Sequence, residues 1–151
     1  GYNTGILLRC IDKPQNCDTC NVSLYGYQLK IDPSPTRRWT GGIFDDYGES
    51  WHWLYDLSKD DRARNAYRIG YWNHIRVEAI GSSIKTWVNG IPATNMINSK
   101  YSKGTIALKI HSLKTRPEQE AMLGRFKNIR IITKDTEKYI KPIDIPAISV
   151  N

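Results

Sequence analysis

Two short runs of the chain carry polar side chains of wide chemical range at alternate positions. Gln28, Lys30 and Asp32 alternate with Tyr27, Leu29 and Ile31; Ala107, Lys109 and His111 alternate with Ile106, Leu108 and Ile110. In an extended chain successive side chains point to opposite sides, so each polar set shares one face. Arg9 follows Leu8 and reaches that face by the same alternation. If the three segments are neighbours in one sheet, a single surface carries an amide, two ammonium groups, a carboxylate, an imidazole and a guanidinium. Such an array of donors and acceptors suits the hydroxyls of a sugar. Trp39, Trp51, Trp53 and Tyr47 lie in or near loops, where they can serve as platforms for ring faces. His111 is a candidate acid or base, because the ordinary imidazole pKa lies near neutrality. Asp32 is either a catalytic carboxylate or an orienter of Lys30 or Arg9. A conventional glycosidase needs two carboxylates about 5–10 Å apart, and Asp45, Asp46 and Glu49 are the candidates for the second. Asp32, His111 and Arg9 are thus the candidate catalytic residues, and Gln28, Lys30, Lys109, Trp39, Trp51 and Trp53 the candidate substrate-binding residues. The plainer alternative is a solvated sheet face with tryptophans packing its rim.

No metal-binding cluster is legible. The three cysteines are Cys10, Cys17 and Cys20, no paired Cys or His follows them at finger spacing, and His52, His74 and His111 are singletons. Cys17-Asp-Thr-Cys20 lacks the βαβ context of a redox motif. Two readings remain: one loop disulfide with a spare thiol, which implies an oxidising compartment, or three free thiols. The 22 Lys and Arg against 15 Asp and Glu give a charge of +7. The basic residues are scattered rather than blocked, which argues against a nucleic-acid partner; a plainly basic surface is the default reading, and attraction to an acidic glycan fits at least as well as nucleic acid. An apolar content of 40%, with five Trp and nine Tyr, excludes disorder. No apolar run approaches the ~20 residues of a membrane-spanning helix. A chain of 151 residues makes one domain, large enough to hold a core without a staple.

The elements that must position these residues are strands. Besides the two runs above, Ile75, Val77 and Ala79 alternate with Arg76 and Glu78. Asn89-Gly90 separates Ile84–Val88 from Ile91, the strongest short signal for a two-residue hairpin, and Gly81-Ser82 marks a second tight turn. Residues 73–97 are therefore expected to form a three-stranded meander. Phe126, Ile129 and Ile131 read as a late strand. Ser58–Ala66 has little apolar face and is expected to be a loop or a single helical turn capped by Ser58. Pro142 and Pro146 mark an extended tail. Many short antiparallel strands predict an all-β sandwich or barrel.

Seven segments in order make a more specific pattern: Asn3-Thr-Gly-Ile-Leu-Leu-Arg9, Gly26-Tyr-Gln-Leu-Lys-Ile-Asp32, Thr40-Gly-Gly-Ile-Phe44, Trp72-Asn73, Trp87-Val-Asn-Gly90, Gly104-Thr-Ile-Ala-Leu-Lys-Ile-His111 and Arg125-Phe-Lys-Asn-Ile-Arg130. Over residues 3 to 133 this series resembles the 3-keto-disaccharide hydrolase domain family. The resemblance implies a concanavalin A-like jelly-roll β-sandwich, related to laminin-G and glucanase domains, over residues 1–133, with an extended tail over 134–151. The family's first strands precede Asn3 and are not in this sequence. The implied activity is that of a hydrolase or lyase on 3-keto-glycosides or disaccharides, with a base removing the proton at C2 and the C1 substituent leaving by elimination. His111 or Asp32 would be the base, and Arg9, Lys30 or Lys109 would polarise the ketone. The alternative is a carbohydrate-binding module or accessory surface lipoprotein of a glycan-uptake system, working with other glycan-utilisation proteins; a laminin-G-like adhesion domain is a third. The resemblance further implies a secreted, periplasmic or cell-surface protein of a bacterium. No cofactor is expected, although some members of the superfamily use a divalent metal such as calcium, which here would fall to Asp32 and His111. Two departures stand out: Gln28 occupies a position where the family usually has Glu, and Lys30 and Lys109 occupy positions where it has Gln. The added positive charge implies a preference for sugars bearing carboxylate or sulfate.

Overall fold

Period-two alternation produces two sheets with a shared apolar interior. The computed structural model describes residues 4–13, 23–46, 52–110 and 124–150. One sheet is built from β1 (Thr4–Lys13), β2 (Ser23–Ile31), β3 (Ile43–Asp45), β4 (His52–Tyr55) and β8 (Thr105–Ile110), in the spatial order β4-β3-β2-β1-β8. The other holds β5 (Ile75–Ile80), β6 (Ser83–Val88) and β7 (Ile91–Ile97), with β9 (Ile148–Ser149) added in parallel beside β7. The protein is an all-β sandwich whose described residues hold one short α-helix, α1 (Asp61–Arg64).

The core lies between the layers. Leu8, Tyr27, Leu29, Ile43 and Leu54 of the first sheet meet Ile84 and Met96 of the second, and Tyr101 closes one end. A smaller cluster, Leu57, Ala63, Ala66, Val88 and Ala93, fastens α1 onto the second sheet. The meander over residues 73–97 forms as expected. Asn89 (φ 51°) and Gly90 (φ 83°) supply the two left-handed residues of its hairpin.

Three expectations are corrected. Phe126–Ile131 form no strand: Asn128 sits at φ 54°, which interrupts the extended run, and Ile129 and Ile131 are exposed. Ser58 does not cap the helix; its hydroxyl donates to Asp56, and the Asp60 carboxylate accepts from Ala63 N instead. Ile106, Leu108 and Ile110 are exposed rather than buried, because β8 ends its sheet among the described residues and no described strand of the opposite layer covers it.

The segment after residue 133, expected to be extended throughout, begins with a 3-10 turn over Thr136–Tyr139 preceded by a left-handed Asp135, and from there it straps the outer face of the second sheet. Lys141 N donates to Glu78 (2.9 Å), Asn95 Nδ2 to Ile145 O (2.7 Å) and Asn98 Nδ2 to Val150 O (2.6 Å). A shallow cleft of about 340 Å³ runs between this strap, Trp87 and Arg62. It shares no residue with the polar face of the first sheet.

Candidate functional site

Strand register decides which candidates meet. Gly5 on β1 pairs with Lys30 on β2 and with Lys109 on β8, so the two lysines flank Gly5 in one cross-strand row. The row beneath it runs Trp53–Phe44–Gln28–Leu7–Ala107 through β4, β3, β2, β1 and β8. Gly5 has no room for a side chain. A Cβ there would clash with Leu29 O and come within 2.6 Å of Gln28 Nε2, so the Gln28 amide lies over the Gly5 backbone beside the lysines. Gln28, Lys30 and Lys109 thus share one face, as alternation predicts. His111 and Trp51 fall outside the described residues, as do Tyr47 and Glu49.

This face is more buried than a solvated sheet surface. Gln28 is 0% and Lys30 9% exposed. Lys30 Nζ lies 4.3 Å from the centre of the Phe44 ring. Phe44 meets Trp53 edge-to-face at 5.5 Å, and Trp53 meets Trp39 likewise at 5.0 Å. The three rings form an aromatic wall, capped by the Arg37 guanidinium 5.5 Å from Trp53 and 5.6 Å from Trp39. Burial is the main reason that the Lys30 pKa falls from 10.5 to about 8; the Lys109 charge adds to the fall, and Asp46 opposes it. Lys109 is ion-paired with Asp46.

Asp32 is buried but engaged. Its carboxylate accepts from Arg37 Nε (2.5 Å), Trp39 N (3.2 Å) and Ser34 N (3.3 Å), and its backbone N–H donates to Thr40 Oγ1 (2.8 Å). Burial would raise its pKa, but the Arg37 hydrogen bond, the Trp39 N–H and the Arg37 charge outweigh burial and hold it below the usual carboxylate value. The carboxylate so held anchors Arg37 and the 33–40 turn against the tryptophans. The same donors leave its oxygens ill-suited to a cation. Among the described residues no group of three or more His, Cys, Asp or Glu converges; His111, expected with Asp32 to hold a divalent metal, lies outside them.

Arg9 is not brought to this face. β1 changes register between Leu8 and Ile11, with Arg9 at φ 52°. A bulge adds one residue and so reverses the phase of everything beyond it. Arg9 Nη1 donates to Tyr101 O (3.1 Å). Cys10 lies against Gly26, on the polar face that Arg9 was expected to reach. It is a buried free thiol, raised to about 11 by burial and by the Asp46 charge. Cys17 and Cys20 lie outside the described residues. Asp45 and Asp46 diverge: Asp45 points to the core edge, where Tyr101 Oη (2.8 Å) and Lys100 hold it, while Asp46 joins Lys109.

Phe44, Arg37, Asp46 and Gly5 are therefore parts of the site that alternation within the two polar strands did not pick out as a set. Phe44 shares the face of Gln28 only through the pairing of β2 with β3.

The model of the 3-keto-α-glucoside 1,2-lyase-like domain matches residues 1–132. The chain belongs to this family. No curated protein matches it. The family ties this lyase-like domain to sugar chemistry and makes a glycan-active role its coarse function. The match ends before the strap over the second sheet.

Proposed function

We propose that this lyase-like domain holds a glycoside over Gln28, Lys30 and Lys109, against the wall of Phe44, Trp53 and Trp39, and cleaves a 3-keto-glycoside there by eliminating its C1 substituent. Family membership supports the sugar ligand. The observation that carries the choice of a keto substrate is the row Lys30–Gly5–Lys109, two ammonium groups on either side of a residue without a side chain. A ketone at C3 acidifies the proton at C2, and cations beside the carbonyl oxygen stabilise the negative charge that develops when that proton leaves. Aromatic rings supply the apolar platform a sugar face needs. Placement outside the cytoplasm of a bacterium belongs to the same proposal and rests on the family alone.

One observation favours a second reading, a domain that binds sugar without turning it over. Gln28 is a buried amide where the family usually carries Glu, and an amide cannot accept a proton in catalysis.

Methyl 3-keto-α-glucoside and methyl α-glucoside, each incubated with the protein, separate the readings. Release of methanol from the keto sugar alone supports the lyase. Calorimetric binding without release supports the binder. Neither binding nor release overturns both.

A further inference from the structure

Lys30 is an amine at the base of the polar face, 9% exposed and 4.3 Å from the centre of the Phe44 ring, in one cross-strand row with the Lys109 ammonium. Its neighbours divide the work around it. Lys109 is tied to Asp46, and Arg37 to Asp32. An amine that is buried beside another cation is the arrangement by which lysines become nucleophilic toward carbonyl groups. We propose that Lys30 is a covalent catalyst: its Nζ condenses with the ketone of a 3-keto-glycoside to form an iminium ion, which serves as the electron sink for elimination.

This proposal rests on the keto-sugar reading above and specifies its chemistry. The Nζ lone pair attacks C3, and the carbinolamine hydroxyl takes a proton from solvent and leaves as water to give the C3=N iminium; hydrolysis later returns that proton to solvent. The Asp46 carboxylate takes the proton from C2, and the C2–H electrons form the C2=C3 bond of a neutral enamine. Those electrons then form C1=C2 as the C1–O bond breaks, the nitrogen lone pair restores C3=N, and the leaving oxygen takes a proton from Lys109. Transfer of a proton from Asp46 to Lys109, already hydrogen-bonded to each other, returns both to their starting states. The water lost on condensation is restored on hydrolysis, which frees the 1,2-unsaturated 3-keto sugar and the lysine. No oxidant, reductant or metal is consumed.

Condensation requires the neutral amine. With a pKa of about 8, about a tenth of Lys30 is neutral at pH 7, against less than a thousandth of a lysine of ordinary pKa.

The test is reductive trapping. The protein is incubated with methyl 3-keto-α-glucoside and sodium cyanoborohydride, and intact and peptide masses are read. The expected result is a single adduct, the mass of the sugar less one oxygen, on Lys30. Lys30→Arg keeps the charge and removes the nucleophile. It is expected to give no adduct and to lower methanol release by at least about 100-fold, with its circular dichroism unchanged. Trapping in the unaltered protein does not depend on how the variant folds. Methanol release with no adduct, or with adducts spread over surface lysines, overturns the covalent role and leaves the lyase reading standing. Neither binding nor release by the unaltered protein removes both.

Discussion

At the scale of single residues, the site keeps a lysine where its charge is disfavoured. The folded pKa of Lys30, about 8, lies below the 10.5 of a free lysine. Below pH 8 both states bind the proton and the folded state bears the full penalty. Between pH 8 and 10.5 the unfolded chain holds more protons, so this residue makes stability rise with pH. The difference, which already includes what the Asp46 and Asp32 charges recover, corresponds to roughly 3 kcal/mol, and the methylene packing that a substitution disturbs sets against it. Lys30→Met is therefore expected to raise the unfolding free energy by about 1–2 kcal/mol at pH 7, an advantage that fades by pH 10. Urea unfolding at the two pH values checks this. Cys10, with its pKa raised from 9.0 to about 11, shifts stability the opposite way over pH 9–11, but it is present in both proteins and drops out of the difference. An unchanged midpoint at pH 7 would show that the ammonium is well accommodated. Such a penalty is the usual mark of a residue retained for chemistry rather than for packing.

At the scale of elements, the hairpin between β6 and β7 shows how much a turn can hold. Asn89 occupies a left-handed conformation, accepts from His74 N (2.9 Å), and donates to Ala66 O (2.7 Å) and Asn73 Oδ1 (2.8 Å). It thereby ties the meander to the loop that follows α1. Asn89→Gly relieves the backbone but loses all three bonds; Asn89→Ala loses them and keeps the strain. The expected losses are about 2 and about 3 kcal/mol respectively, read from urea midpoints; equal losses would show that the left-handed conformation is no burden here. Asn-Gly was legible in the sequence because its chemistry is local. The phase of Gln28, Lys30 and Lys109 was legible for the same reason. Arg9 was not, since a single bulged residue reverses the phase without any local signal. Nor was the exposure of Ile106, Leu108 and Ile110: alternation tells which side a residue faces, not whether another layer covers that side. Asp32 read as a catalytic carboxylate or an orienter of a neighbouring cation because its type and position fit both, and the cation it holds is Arg37. Its three donors come from a turn whose conformation the sequence did not declare.

At the scale of the whole molecule, charge and coverage both depend on distant segments. The chain carries +7, but the described polar face holds Lys30, Lys109 and Arg37 against Asp32 and Asp46, three cations less two carboxylates, or +1. Arg9, expected to add to it, is bonded elsewhere. Uronic-acid and neutral glycosides should therefore differ in affinity by less than about 10-fold, with a shallow dependence on salt; a steep loss of acidic-sugar binding between low and high salt in calorimetry would contradict this. Coverage of the second sheet is the other distributed property. Trp87 is 1% exposed, paired in register with Arg76 and Pro92, and the segment from Tyr139 to Val150 lies over this face. Lys141 Nζ sits 5.8 Å from its ring, Arg76 donates to Tyr139 O, and Arg62 pairs with Asp144 at 2.9 Å. Val150 also packs against the main core and donates its N–H to Ile97 O (3.0 Å). The strap lies beyond the family match, yet it closes a tryptophan that the sheet alone leaves open. A chain ending at Thr133 is expected to show red-shifted tryptophan emission and to lose about 3 kcal/mol or more in urea unfolding, from uncovered apolar surface and broken hydrogen bonds. Emission and midpoint both unchanged by the truncation would mean that the strap rests on the sheet without supporting it.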